Sequence, residues 1–518
     1  MPKQKTDDLL RLIDSLTRAE KRHFRLFVKR NQAAKGEILF LELFNYLEKQ
    51  DEYDEEHLMK RIKGIKKSQL SNQKAHLYKQ LLTSLRLLNR NKDEEIMLRE
   101  NIDYARILYN KGLYSQSLDI LGKVKKRALT HEFHTVALEV AQFEKLIEGQ
   151  YVTRSIRNRS TELSEECSAL VSHIAATERF SNLSLRLYSY YLAEGMVKNE
   201  AEQLKVKAMF DELLPAEDFE ELNFWGQVYY CQSYMGLHHI CQEFPMVYRY
   251  SQRVIDMFRD KPNMIQLNAA LYLRGLHTHL ANLFNMWQYD KFKPELDILL
   301  AFPETYDLST DANTESLWQL YSFTHRIQLH FIRGTFSEGL ELVPPLMEAI
   351  EEDTYNWDEY RHMLFYYRIA CLYFGSGDNN RAIDYLNLII NQRSPNYRSD
   401  IQAYARILSL ICHFEMGNVQ LVEYQVKSVY RFLAKVEHLQ ETQQHIFKFL
   451  RRLPRIQEAE LKEEFIQLKE QLDGVSDRPF EQRTFTYLDV ASWLKSKIED
   501  KSVQQVIREQ FEADQARG

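Results

Sequence analysis

An all-α fold is predicted for this 518-residue chain by three observations. Glycine and proline are scarce, at 16 and 11 residues, against the roughly 7% and 5% of ordinary proteins. Little material is therefore present for the tight turns that sheets require. Aromatics abound, with 30 Tyr, 28 Phe and 5 Trp, and large rings of this kind interlock well between packed helices. Above all, one register recurs four times, anchored on Gly112, Gly334, Gly377 and Gly417. Three residues before each glycine stands an aromatic (Tyr109, Phe331, Phe374, Phe414), and seven before it a small or aliphatic residue (Ala105, Ile327, Ala370, Leu410). Nine residues after come Leu121, Val343, Leu386 and Val426, and twelve after come Val124, Leu346, Ile389 and Val429. Positions −7 and −3 share one face of a first helix, and +9 and +12 share one face of a second. A glycine between them can take the left-handed conformation cheaply and reverse the chain. The register thus predicts an α-solenoid, a stack of antiparallel helix pairs in which each pair covers the apolar face its neighbour leaves open.

The turns carry a resemblance to a known family. The stretch Leu108–Tyr114 resembles the turn of a tetratricopeptide repeat, and so does Tyr373–Ala382, with small Ala382 five after the glycine and Pro395 closing the unit. In the other units the slot five after the glycine holds Ser117, Gly339 and Val422. Spacings of 43 (Gly334 to Gly377) and 40 (Gly377 to Gly417) exceed the family period of about 34 and predict longer helices. The resemblance covers residues 93–473, most clearly 311–436, and implies a superhelix that binds other macromolecules. Ser15–Phe24 and Thr486–Lys495 also look like the ends of an uncharacterised family of bacterial helical-repeat proteins.

Taken in order, residues 1–92 read as a basic helical N-terminal domain or cap without the glycine register. Leu9, Leu12, Ile13 and Leu16 form one helical stripe, Thr17–Glu20 reads as a capping box, and Asp54 as a helix cap. A long helix from about Ser68 to Asn89 presents Leu70, Leu77, Leu81, Leu85 and Leu88 on one side. Over 93–473, pairs are expected at 93–130, 132–178, 178–214, 217–260, 262–302, 311–351, 355–392, 398–436 and 438–473. The pair around Trp287 keeps Phe284, Leu296 and Leu299 but lacks the glycine. Residues 474–518 are expected to form a C-terminal helical cap. Its two short helices carry Val490, Trp493, Leu494 and Ile498, then Val503, Val506, Ile507 and Phe511 behind a Ser502…Gln505 capping box. End units must hide the last open face of a stack. At the turns, Gly377→Val is expected to destabilise the chain, whereas Gly375→Ala, inside a helix, is expected to be nearly silent.

Charge is segregated. Residues 57–92 hold ten Lys or Arg and no acid. Residues 1–100 carry 22 basic and 16 acidic residues, a net of +6 within a chain of net −6, so 101–518 carries −12. Lys79, Arg86 and Arg90 fall opposite the leucines of the long helix, and Lys63, Lys66, Lys67 and Lys74 precede them. Three readings of this stripe stay open: a solvated helix face, with or without acidic neighbours from elsewhere in the fold, a contact for nucleic acid, or a contact for an acidic protein. Reversing Lys79, Arg86 and Arg90 together to Glu is expected to leave the helical circular dichroism nearly intact, since they lie opposite the buried leucines. A second cluster is Lys448, Arg451, Arg452 and Arg455.

No catalytic, cofactor-binding or metal-binding residues are assigned. The histidines of His131-Glu132-Phe133-His134 are three apart, unlike the zinc-protease arrangement. Cys231, His238, His239 and Cys241 do not converge on a helix, and Gly375-Ser376-Gly377 lacks the Lys-Ser/Thr ending of a phosphate loop. The five cysteines read as reduced, mostly buried thiols, and the first twenty residues are too charged for a signal core. Together these predict a cytoplasmic, non-enzymatic scaffold or adaptor with no membrane contact. Its protein or peptide partner would lie in the solenoid groove, with Tyr109, Arg326, Tyr373 and His413 as groove candidates. The alternatives are a nucleic-acid- or ribosome-associated protein using residues 57–92, and an enzyme with an unrecognised site.

Overall fold

The computed structural model describes residues 8–30, 36–50, 53–62, 66–150, 158–309, 311–392, 399–433, 441–453, 456–476 and 489–517. Among the described residues the regular structure is all helical, with no β-strand. No described helix is long and apolar enough to cross a membrane. The chain divides into two compact units, Met1–Ile174 and Ala175–Gly518.

The N-terminal unit begins with α1 (Asp8–Ser15), α2 (Arg18–Arg30), α3 (Gly36–Leu47), α4 (Glu55–Arg61) and α5 (Lys67–Asn89). The capping box at Thr17 forms: its backbone N–H donates to Glu20 at 2.7 Å, and Glu20 N–H donates to Thr17 Oγ1 at 3.3 Å. Leu10, Ile13, Phe24, Leu43, Phe44 and Leu58 are buried with Leu70, Leu77 and Leu81 of α5. Leu85 and Leu88 are only partly covered. This segment therefore has its own core, while the compact unit that holds it runs past residue 92 to include α6 (Glu94–Asn110), α7 (Tyr114–Thr130) and α8 (His134–Glu148). In the α6–α7 pair, Ala105, Leu121 and Val124 are buried as the register requires. Ser117, five residues after Gly112, is a polar residue buried in this pair. It is tolerated because its hydroxyl donates to the Ala105 carbonyl across the pair at 2.8 Å.

One helix, α9 (Arg159–Glu194), spans the region where two pairs were expected to meet at 178, so that boundary is corrected. Nothing near 178 breaks a helix: Ala175-Ala176-Thr177-Glu178-Arg179 lacks Gly and Pro. The C-terminal unit continues with α10 (Glu200–Leu213), α11 (Phe224–Ile240), α12 (Phe244–Asp260), α13 (Pro262–Leu267), α14 (Ala269–Asn285), α15 (Tyr289–Leu300) and α16 (Phe302–Thr305). Next come α17 (Ala312–Arg333), α18 (Phe336–Gly339), α19 (Val343–Glu351), α20 (Glu359–Ser376), α21 (Asn379–Ile390), α22 (Ser399–Glu415) and α23 (Val419–Leu433). The last four are α24 (Glu441–Arg452), α25 (Leu461–Ser476), α26 (Val490–Glu499) and α27 (Val503–Gln515).

All four register glycines have positive φ, from +61° at Gly334 to +93° at Gly377. At Gly377 the helix closes with two bonds: Gly377 N–H donates to the Phe374 carbonyl at 3.0 Å, and Asp378 N–H to that of Tyr373 at 2.9 Å. This is the Schellman arrangement, which satisfies the last carbonyls of a helix. The same two bonds recur at Gln242 (φ +60°) and Trp287 (φ +54°), where no glycine marks the turn. Each such residue bears about 1–2 kcal/mol of left-handed strain, which the flanking packing holds in place. With Gly195 (φ +76°), the left-handed residues that close the first helix of a pair in the C-terminal unit fall at 195, 242, 287, 334, 377 and 417, spaced 47, 45, 47, 43 and 40 residues apart, while Glu132, Asn158, Asp353, Asn356 and Asp500 are left-handed at other places. The residues at −7, +9 and +12 around Gly334, Gly377 and Gly417 are all buried.

Two further expectations are corrected. Gly375 is not an idle helical position, because a Cβ there would sit 2.6 Å from Phe336 Cε1 and closer still to two other ring atoms. Its missing side chain is what lets α18 lie on α20. The C-terminal segment, for its part, does more than hide a last open face. In α26, Trp493 is buried against Phe465 (5.6 Å between ring centroids) and Phe449 (6.4 Å), and its Nε1 donates to Glu415 at 2.7 Å. α27 then returns to earlier pairs. Its backbone lies against Gly334, where a Cβ would meet the Gln504 carbonyl at 2.9 Å. Beyond this, Gln504 accepts from Ser337 N–H at 2.8 Å, Phe511 meets the Tyr289 ring edge-on at 4.7 Å, and Gln515 reaches Asp290 at 3.2 Å.

Candidate ligand-binding face

The basic stripe on α5 is largely answered from within the N-terminal unit. Arg86 lies 3.3 Å from Asp103, and Arg90 lies 3.2 Å from Glu100, whose side chain is only 13% exposed. Lys67 is 3.6 Å from Glu55, and the Lys74 ammonium sits 3.9 Å above the Tyr53 ring. Partial burial lowers the Lys74 pKa. Lys66 and Lys79 remain exposed. Lys63 lies outside the described residues, as do Arg455 and Pro395. Reversing Lys79, Arg86 and Arg90 together would therefore strike two ion pairs, the pairing with acidic neighbours that the solvated-face reading allows.

The groove candidates scatter. Tyr109 packs edge-on to Phe143 at 5.5 Å and donates to Gln150 at 2.8 Å, and Tyr373 stacks on Tyr385 at 5.7 Å. Both serve packing. His413 is partly buried beside its turn, and Arg326 is exposed.

A different set of polar side chains meets on α14, α17 and α20. His277 Nδ1 and His325 Nε2 are 2.8 Å apart, and His325 Nδ1 faces the Gln328 side-chain oxygen at 2.7 Å. Because that oxygen can only accept, His325 donates to it from Nδ1 and must accept at Nε2, so His277 donates from Nδ1. The Nε2 of His277 is left as an acceptor. Tyr321 stacks on His277 with centroids 4.1 Å apart and planes within 10°. Burial, reinforced by the charges of Arg368 and Arg361, holds His277 down to about 3, although part of the ring still reaches the surface. His325 is pushed well below its ordinary value by burial and then by His277. Burial raises Tyr321 while Arg274 and Arg361 oppose it, and Tyr188 of α9 is near enough to contribute. Arg368 also donates to Thr324 Oγ1 at 3.5 Å.

Sequence reasoning missed this set. Its residues occupy no repeated register slot, and the only local hint is the Tyr321/His325 pair one helical turn apart.

Two recesses lie elsewhere. One of about 360 Å³ is lined by Tyr190, Glu194, Lys198, Glu202 and Lys205, and one of about 400 Å³ by Lys123, Lys126, Arg127, Thr130 and His131. Among the described residues no group of three or more His, Cys, Asp or Glu could hold a metal ion. Burial pushes the Cys231 thiol up to about 12 and the Cys241 thiol to about 11, so neither is poised as a nucleophile. His238 pairs with Glu243 at 2.5 Å and is turned to structural use. The chain matches no family model, no curated protein and no solved structure, so no function comes to it by likeness.

Proposed function

We propose that this protein is a cytoplasmic, non-enzymatic scaffold or adaptor, an α-solenoid of tetratricopeptide-like helix pairs that holds a protein or peptide. The observation that carries this reading is the series of six left-handed turns, each closing the first helix of a pair in the C-terminal unit, at 40–47-residue spacing. A train of like pairs makes each unit contact its neighbours and lays successive first helices side by side, which produces an extended surface suited to macromolecules. The polar set on α14, α17 and α20 fits that use, since it combines side chains from three consecutive first helices. A second reading, association with nucleic acid or the ribosome, is favoured by the acid-free stretch 57–92 with Lys66 and Lys79 exposed. A tagged-protein pull-down with and without nuclease, repeated over a salt series, separates the two. Protein partners that survive nuclease support the scaffold. Loss of all partners on nuclease treatment, with log affinity falling by roughly 0.7–0.9 per neutralised phosphate per unit of log salt, supports nucleic acid instead.

A further inference from the structure

We propose that Arg274, Arg361 and Arg368, set around the His277–Tyr321 stack, bind an acidic and partly apolar peptide segment of another protein. This deepens the scaffold reading, on which it rests, by naming the chemistry of what the scaffold holds.

Arg274 and Arg361 are placed for a ligand, while Arg368 beside them also serves the fold through Thr324 Oγ1 at 3.5 Å. Some arginines of this unit are clamped by an acid, as Arg259 is by Glu295 at 2.7 Å. Arg274 is exposed and has no ion pair among the described residues; it reaches only the Tyr321 hydroxyl. The nearest acid to Arg361 is Asp358 at 3.8 Å, itself 60% exposed, which is too loose to occupy a guanidinium fork. These cations gather in a region, 101–518, whose net charge is −12, so they are not part of a uniformly basic surface. The neutral histidines beneath them add no charge but fix the ring on which Tyr321 stacks. Arginine forks match carboxylates bidentately and recognise acidic motifs when clustered.

An apolar strip on α9 has Tyr188 near the Tyr321 ring. On α9, Leu185, Tyr188 and Leu192 are 65%, 58% and 50% exposed, whereas Leu183 and Leu187 are buried on the other side of the same helix. Their spacing of three and four residues puts them on one face, and Tyr188 lies within electrostatic reach of Tyr321. Charge complementarity selects the occupant: carboxylates for the arginines, with aliphatic side chains between them for Leu185 and Leu192. Nucleic acid fits less well, because Tyr188 alone in the strip could stack on a base while Leu185 and Leu192 offer no such platform.

The test uses the full chain and fluorescence anisotropy. The probes are a labelled Glu/Leu amphipathic peptide of about 20 residues, long enough to become helical, a Lys/Leu counterpart, a Glu/Ser peptide and a single-stranded RNA. The Glu/Leu peptide should bind, and the Lys/Leu peptide should not. Arg274→Glu with Arg361→Glu should weaken binding about tenfold or more, and Leu185→Ala with Tyr188→Ala should weaken it severalfold. All four side chains are exposed or nearly so, and unchanged circular dichroism of both variants establishes that they fold. Failure of the Glu/Leu peptide to bind, equal binding by the arginine variant, or tighter binding of RNA that the same variant loses each overturns the proposal. Nuclease-treated pull-downs keep the two readings apart. Protein partners retained equally by wild type and the arginine variant leave the scaffold standing and sink this site, whereas a wild type that holds no protein sinks the scaffold itself.

Discussion

Substitution of Gly375 by alanine is the sharpest test of the packing, because local and tertiary arguments give opposite signs. Within a helix, Gly→Ala is worth about 1 kcal/mol of stabilisation from backbone propensity. Here, however, the new Cβ would lie 2.6 Å from Phe336 Cε1, where ordinary contacts begin at 3.4 Å. The Phe336 ring must therefore retreat by about 1 Å or more, yet it is only 6% exposed and stacks on Phe331 at 5.6 Å. Overpacking of this kind costs about 1–3 kcal/mol, and a rigid ring with no free side places it near the top of that range. The net expectation is a loss of about 2 kcal/mol. Scaled by about 2.1 cal/mol/K per residue over Ala175–Gly518, that is a fall of about 3 °C in the melting midpoint of this unit. Circular dichroism melts of Gly375→Ala, Phe336→Leu and the double variant provide the assay. Leucine removes the clashing ring, so the double variant should be more stable than the sum of the single losses by about 1 kcal/mol. Gly377→Ala, whose Cβ would meet nothing within 4 Å, should instead cost about 1–2 kcal/mol through φ alone and add independently to Phe336→Leu. A Gly375→Ala protein that melts at or above wild type, or strict additivity with Phe336→Leu, would refute the placement of Phe336 on Gly375.

Three further outcomes are expected. At position 287, Trp287→Gly should be more stable than Trp287→Ala by about 1 kcal/mol, since both lose the ring and only glycine escapes the strain of φ +54°; the reverse order in thermal melts would show that the turn relaxes without it. Acid should weaken the C-terminal unit, because His277 at about 3 and His279 at about 4 stay neutral when folded but take up a proton near 6.5 when unfolded. That stability is whole above the unfolded value and lost as pH falls, about 2 kcal/mol per histidine by pH 5, so His279→Gln, which leaves His277 and His325 in place, should cut the shift in urea midpoint between pH 7.5 and 5 by about a third or less, and an undiminished shift would contradict the assignment. On α5, Lys79→Glu should change stability by no more than about 0.5 kcal/mol, whereas Arg90→Glu, set beside the largely buried Glu100, should cost about 1–2 kcal/mol; equal melts for the two would show that the Arg90–Glu100 pair does not contribute.

The sequence by itself determined the helical class, the four glycine turns and most helix ends, because these depend on forces that act within one turn of chain. Gly377 can be read as a left-handed residue since only its own dihedral and the flanking apolar spacing are involved, and Ser502 as a cap since its partner, Gln505, is three residues away. Tertiary structure decided the rest. Gln242 and Trp287 make the same turn without glycine because packing on both sides imposes it, and no local preference records that. Gly375 looked like a helix position awaiting alanine until α18 was seen to bring Phe336 onto it. Arg86 and Arg90 looked solvated until α6 brought Asp103 and Glu100 beside them. The same holds for the return of α27 to Gly334 and for the meeting of Arg274, Tyr321 and Arg361. Those residues lie on separate helices, and the distances between such side chains are set by how helix pairs stack, not by the spacing of residues along the chain.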